Sequence, residues 1–170
     1  DPSIDTESSN LTVECDGAGN TADFDAWIAS NGGAVATDDC SEVVWTFEVT
    51  PLTDDCGATG TATAVWTATD DCDNTSQTTA TFTIEDTTNP DPVCQDITIQ
   101  LDGNCFASIT PEDIDNGSSD ICGDIASLEL DITEFTCISD VGNNTVTLTV
   151  TDDCGNQDAC TATVTVEQFD

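Results

Sequence analysis

Threonine and apolar residues alternate along most of this chain. In the first half the alternation runs through Leu11-Thr12-Val13, Val43 to Val49, Thr61 to Thr69 and Thr79 to Glu85. In the second half it runs through Ile97 to Leu101, Leu128 to Ile132, Val146 to Val150 and Thr161 to Val166. Successive side chains of a strand point to opposite faces, so this pattern predicts eight strands with one buried face each. Thr, Val, Ile and Phe suit such a pleated, half-buried surface. Turn signals at Asp16-Gly17, Asp102-Gly103-Asn104 and Gly142-Asn143-Asn144 separate the runs. Two short helical pieces interrupt them. Phe24, Trp27 and Ile28 recur at helical spacing, and Thr110-Pro111-Glu112-Asp113 offers a cap, a proline at the first helical position and acidic first-turn residues.

The pattern occurs twice. Thr67-Ala68-Thr69-Asp70-Asp71-Cys72-Asp73-Asn74 returns as Thr149-Val150-Thr151-Asp152-Asp153-Cys154-Gly155-Asn156, an offset of 82 residues. Cys40 and Cys56 map to Cys122 and Cys137 at offsets of 82 and 81. That period is too long for a solenoid and fits a small domain. A polar stretch with two prolines, residues 86–92, separates the copies and reads as a stiff linker. The expected architecture is all-β: two tandem immunoglobulin-like β-sandwich domains, residues 1–86 and 87–170.

Charge changes the picture most. The chain has 35 Asp and Glu, no Lys, Arg or His, and a formal net charge of −35. No carboxylate can find a side-chain cation within the chain, so the partners implied are cations from outside. Nucleic acid and anionic membranes are excluded by sign. No apolar run approaches the about 20 residues of a membrane span, and the missing signal peptide points to a segment of a longer secreted chain. Without His, Lys, Arg or Tyr there is no usual general base, triad or oxyanion-stabilising cation, so an enzyme is not expected. Trp27, Trp45 and Trp66 read as core residues.

Ten Cys without a CxxC pair or a His do not look like zinc sites; they read as five disulfides and an extracellular setting. Spacing does not fix connectivity. The repeat correspondence suggests Cys40–Cys56 and Cys122–Cys137 as equivalent bridges, and Cys15–Cys72 and Cys105–Cys154 as a second equivalent pair. Cys94–Cys160 then remains, in the second unit alone. Buried free cysteines are the rival reading.

The pattern Thr67 to Asn74 followed by Thr79 to Asp86 and Thr87-Thr88-Asn89-Pro90 resembles the Cys-rich, hyalin-repeat-like (HYR-like) immunoglobulin-type domains that occur in tandem in giant surface proteins of Bacteroidota. The run from Pro92-Val93-Cys94 through Thr110-Pro111-Glu112-Asp113 to Asp120 matches it further, and the resemblance covers essentially the whole chain. It implies an exported, non-enzymatic repeat protein carried by the type IX secretion system and used in adhesion, gliding or prey capture. Against that family's pattern Cys105 and Cys154 look like additions, which supports pairing them. Asp86-Thr87-Thr88 resembles the O-glycosylation motif of the same bacteria, with Thr87 as acceptor.

The acidic clusters are the candidate sites. Asp38-Asp39, Asp54-Asp55, Asp70-Asp71-Cys72-Asp73 and Asp152-Asp153 place adjacent carboxylates beside a Cys. Calcium takes six to eight oxygens, and Asp70, Asp71, Asp73 and Asn74 offer several, as do Asp152, Asp153, Asn156 and Asp158. Glu85, Asp86 and Asp91 near the linker are further candidate ligands. The alternative is a solvated acidic surface tolerated in salt. The resulting expectation is a stiff structural segment of an extracellular, cell-surface adhesive fibre or filament. Its partners would be neighbouring repeats, laterally associated copies and calcium, and trypsin-like enzymes would have no site to cut. The alternative function is a direct glycan- or protein-binding module.

Overall fold

The computed structural model describes residues 1–169. Two compact units divide the chain, Asp1–Asp86 and Thr87–Asp170. The strands of unit 1 are β1 (Ser3–Thr6), β2 (Leu11–Glu14), β3 (Val35–Thr37), β4 (Val44–Val49), β5 (Gly60–Thr69) and β6 (Thr75–Glu85), with one helix, α1 (Thr21–Ala29). Those of unit 2 are β7 (Ile97–Gln100), β8 (Phe106–Ser108), β9 (Ile125–Leu130), β10 (Glu134–Thr136), β11 (Gly142–Asp152) and β12 (Gln157–Glu167), with a single helical turn, α2 (Pro111–Ile114).

Each unit is built on a four-stranded sheet, in the order β2-β6-β5-β4 in unit 1 and β7-β12-β11-β9 in unit 2. The long hairpins β5–β6 and β11–β12 are antiparallel, and the first strand of each sheet runs parallel to the last, Leu11 beside Phe82 and Ile97 beside Val164. The alternation explains which face is buried. Ala62, Ala64, Trp66, Ala68, Ala80, Phe82 and Ile84 point inward in unit 1, and Val146, Leu148, Val150, Ala162, Val164 and Val166 do so in unit 2. Threonines face the other way in cross-strand pairs such as Thr61–Thr83 and Thr145–Thr163.

A thinner second layer covers each inner face, filled differently in the two units. In unit 1 helix α1 brings Trp27 onto Trp66 edge-to-face at 4.8 Å and Phe24 onto Phe82 at 5.2 Å. The alanines flanking Trp66 on β5 make room for these rings, a large-against-small fit. Unit 2 uses aliphatic residues instead: Leu101, Ile109, Ile114 and Phe135 close over the valines of β11 and β12. Phe135 comes from the β8–β10 pair, and Ile114 from α2, where the Asp113 carboxylate takes the Thr110 N–H at 2.8 Å.

Several expectations shift. The strand expected over Leu128–Ile132 is Ile125–Leu130, and the expected turn at Gly142-Asn143-Asn144 is the start of β11. Trp45 is half-buried rather than core, because β4 is the sheet edge and also leaves Val44, Phe47 and Val49 exposed. Strands β1, β3, β8 and β10 are too short for a periodic signal.

Four of the five expected disulfides are corrected. Cys94–Cys160 is present, with its Cα atoms 5.9 Å apart. Cys105 bonds Cys137, not Cys154, and Cys137 is thereby unavailable to Cys122. Cys40 and Cys72 are exposed thiols, which removes Cys40–Cys56 and Cys15–Cys72. Strand direction is the reason. The N–H of Cys15 bonds the carbonyl of Glu85 at the far end of β6, while Cys72 precedes its start. Ten residue steps of strand separate those ends, about 33 Å, against the about 4.4–6.8 Å between Cα atoms that a disulfide spans. Cys105 and Cys154 are held apart along β12 in the same way, and Cys40–Cys56 and Cys122–Cys137 would each join opposite ends of an edge strand. By contrast Phe106 pairs with Thr136 in the β8–β10 ladder, so Cys105 and Cys137 follow as the next opposed pair. The other four bonded cysteines fall two to a unit, Cys15 and Cys56 in unit 1 and Cys122 and Cys154 in unit 2.

Candidate functional site

The acidic clusters turn out to be turns. At the tip of β5–β6 the Asp70 side chain is buried, and its Oδ1 accepts the N–H groups of Cys72 at 2.8 Å and Asn74 at 2.9 Å. Its Oδ2 accepts the Asn74 side-chain amide at 2.8 Å. At the tip of β11–β12 the same three bonds hold Asp152, from Cys154 and Asn156 N–H at 2.9 Å each and the Asn156 amide at 3.0 Å. The residue before each Asn has positive φ, Asp73 at 64° and Gly155 at 91°. Asp can occupy that left-handed position because its short polar side chain lowers the cost, and Gly has no side chain to clash.

The device is more general. Asp38 and Asp120 accept the N–H of Cys40 at 3.0 Å and of Cys122 at 2.7 Å. Asp16, Asp102 and Asp140 accept backbone N–H groups of Asn20, Phe106 and Thr136. Hydrogen bonds given to the ionised form hold five of these carboxyls below the ordinary carboxylate value. Asp70 is lowered chiefly by the Asn74 side chain, Asp38 by the Cys40 N–H, Asp102 by the Phe106 N–H and Asp140 by the Thr136 N–H. Asp16 is lowered chiefly by the Asn20 N–H.

These bonds bear on metal binding. Asp70 and Asp152 turn their oxygens into the turn and already accept three donors each, which leaves them little capacity to join the six to eight oxygens of a calcium cage. Asn74 and Asn156 use their amides as donors to the same aspartates. Asp71 and Asp153 are exposed, though Asp153 Oδ2 takes the Asp124 N–H at 3.1 Å. Asp73 is exposed; Asp158 is exposed and takes the Ala159 N–H at 2.7 Å. Asp39 and Asp54 are exposed, and Asp55 meets the Thr53 hydroxyl at 3.4 Å. Glu85 is exposed beside Glu14, Asp86 is half-buried, and Asp91 is exposed while its backbone bridges to Ser119. Thr87 is exposed, as a glycan acceptor would need to be.

Two features were missed in the sequence. One is the spacing Asp-x-x-x-Asn, which marks the turns at Asp16/Asn20, Asp70/Asn74 and Asp152/Asn156 and occurs once more at Asp140/Asn144, where the Asn144 amide bonds the Asp140 carbonyl. The other is an open apolar cleft of about 310 Å³ in unit 1, between Phe24 and the inner-face residues Ala62, Phe82 and Ile84, rimmed by Val49 and Leu52. No described helix is long and apolar enough to cross a membrane.

No protein-family model matches the chain, and comparison with curated proteins finds no match. Solved structures do match in shape. The chain resembles the fibronectin(III)-like modules of Clostridium thermocellum CbhA at 14% identity and TM-score 0.34, covering 98% of this chain and 94% of that one. It resembles Drosophila N-cadherin EC1-4 at 12% identity and TM-score 0.45, covering 99% of this chain and 49% of that one. The tandem Ig repeats of Dlar match at 11% identity and TM-score 0.30, covering 99% and 98%. Likenesses of this degree carry no argument about ligand or partner. The all-β class and the immunoglobulin-like pairing of first and last strands rest on the ladders described above.

Proposed function

We propose that this chain is a structural segment of a long extracellular adhesive fibre, a spacer whose units resist extension and proteolysis rather than a catalyst or a dedicated receptor. The observation that supports it is the use made of the acidic and sulfur-bearing residues. The most deeply buried carboxylates fix turns, and the Cys94–Cys160 and Cys105–Cys137 bridges tie Cys94 to strand β12 and the start of β8 to the end of β10. The remaining carboxylates form a solvated, uniformly negative surface that keeps copies apart unless cations screen them. Export by the type IX system and a part in adhesion, gliding or prey capture follow from the sequence resemblance and belong to the proposal.

Calcium enters as a counter-ion that neutralises exposed groups such as Asp71, Asp73, Asp153 and Asp158, and lets fibres approach laterally. Thermal melting in chelator, in millimolar calcium and in sodium at matched ionic strength tests this. A calcium-specific rise of more than about 10 °C, more than a 1 kcal/mol effect gives in a domain this size, would instead require a chelated ion. The apolar cleft beside β4 favours a second reading, a direct binding module. Retention of the isolated segment on a glycan or target-cell array would displace the passive-spacer reading.

A further inference from the structure

Four cysteines sit in Asp-x-Cys turns of one geometry. The N–H groups of Cys40, Cys72, Cys122 and Cys154 each bond the aspartate two residues earlier, at 3.0, 2.8, 2.7 and 2.9 Å. Cys56 also has an aspartate two residues before it, Asp54, but its N–H bonds the Thr59 hydroxyl instead. The four form two corresponding pairs, each 32 residues apart. In unit 2 both members are disulfide-bonded, while in unit 1 both are exposed thiols.

The turns that carry them are knit together in both units. In unit 2 the Asp153 N–H bonds the Asp124 carbonyl at 3.2 Å, and Asp153 Oδ2 takes the Asp124 N–H. In unit 1 the Asp71 N–H, next to Cys72, bonds the hydroxyl of Ser41, next to Cys40, at 3.3 Å. Carboxylates of Asp38 and Asp70 both reach the main-chain nitrogen of Asp1, at 3.3 and 3.6 Å. Both thiols therefore sit at one end of the sheet, on adjoining turns.

We propose that Cys40 and Cys72 are a disulfide site, closing the β3–β4 connection onto the β5–β6 turn, at the positions where unit 2 carries two disulfide-bonded cysteines on adjoining turns. Formation needs an acceptor of two electrons, and a small-molecule disulfide such as glutathione disulfide supplies it. One thiolate attacks that disulfide and releases one small thiol. The second protein thiolate then attacks the mixed disulfide, forms the Cys40–Cys72 bond and releases the other small thiol, so two protein thiols and one disulfide become one protein disulfide and two thiols. The inference is independent of the fibre reading.

The test equilibrates the full chain with glutathione disulfide, alkylates it without reduction and maps it after pepsin digestion, since trypsin has no site. The expected result is a fall from two alkylatable thiols to none, an intact mass lower by two hydrogens, and one peptide pair joined through Cys40 and Cys72. Alkylation of both thiols, stable glutathione adducts on them, a disulfide-linked dimer, or either cysteine joined to another partner would overturn it. Cys40→Ser should leave Cys72 in a monomer as a free thiol or a glutathione mixed disulfide, and a disulfide from Cys72 to another cysteine of the chain in that variant would equally count against the pairing.

Discussion

Removing the Asp152 carboxylate separates a turn acceptor from a calcium ligand. Asp152 is only 2% exposed, and its oxygens accept three hydrogen bonds at 2.9–3.0 Å. Hydrogen bonds to a charged group are worth about 1.5–3 kcal/mol each, and they do not add fully because donors left at a hairpin tip can reach water. Asp152→Ala should therefore cost about 3 kcal/mol. Asp152→Asn keeps the two backbone bonds but sets one amide against that of Asn156, and should cost about 1–2 kcal/mol. A domain of this size moves by about 4–8 °C per kcal/mol, so the alanine variant should melt more than about 10 °C lower in unit 2. Urea titration followed by a unit 2 probe, in chelator and again in calcium, is the assay. The turn account requires the same loss in both. A loss under about 0.5 kcal/mol, or one seen only with calcium present, would refute the reasoning.

Gly32→Ala should destabilise unit 1 by about 2 kcal/mol or more, because the backbone there is left-handed (φ 62°) and the new methyl would lie 3.0 Å from both Trp66 and Ser8; near-ultraviolet dichroism and melting check it. Replacing Cys105 and Cys137 together by Ser should cost about 3.5 kcal/mol and Cys94 with Cys160 about 4 kcal/mol, from the loop lengths of 32 and 66 residues, read by chemical denaturation. Acid should weaken these turns: Asp16, Asp70, Asp102 and Asp140 have folded values below the ordinary 3.8. Their stabilisation is present above that value and disappears as pH falls through the lower folded values. Carboxyl carbon shifts should titrate below 3.8 at these four positions, and midpoints at or above it would contradict the turn geometry.

Much of the fold was legible because alternation is a strong signal in long hairpins. Thr61 to Thr69 and Thr161 to Val166 lie within observed strands, and the Phe24/Trp27/Ile28 spacing marks α1. The disulfides were not legible, since correspondence between repeats shows which positions are equivalent without showing which end of a strand each occupies. Once β2 is known to run parallel to β6, Cys15 and Cys72 fall at opposite ends and that pairing is excluded. The part the first aspartate plays in each hairpin turn was hidden for a related reason. Adjacent aspartates look like ligands in a sequence, but the first of each pair in the hairpin turns faces the backbone, and only the second faces solvent. The Asp-x-x-x-Asn spacing carried that information.

Single-molecule stretching of the oxidised segment in chelator tests the spacer role most directly. With Cys94–Cys160 intact, only residues 87–93 and 161–170 of unit 2 lie outside the bridge, so that unit can lengthen by no more than about 60 Å at up to about 3.6 Å per residue. With the bridges reduced, the same unit should release up to about 300 Å less its folded length. For unit 2, short steps before reduction and long ones after it are the predicted result. A long step assigned to unit 2 in the oxidised chain would contradict the claim that its bridges carry the load.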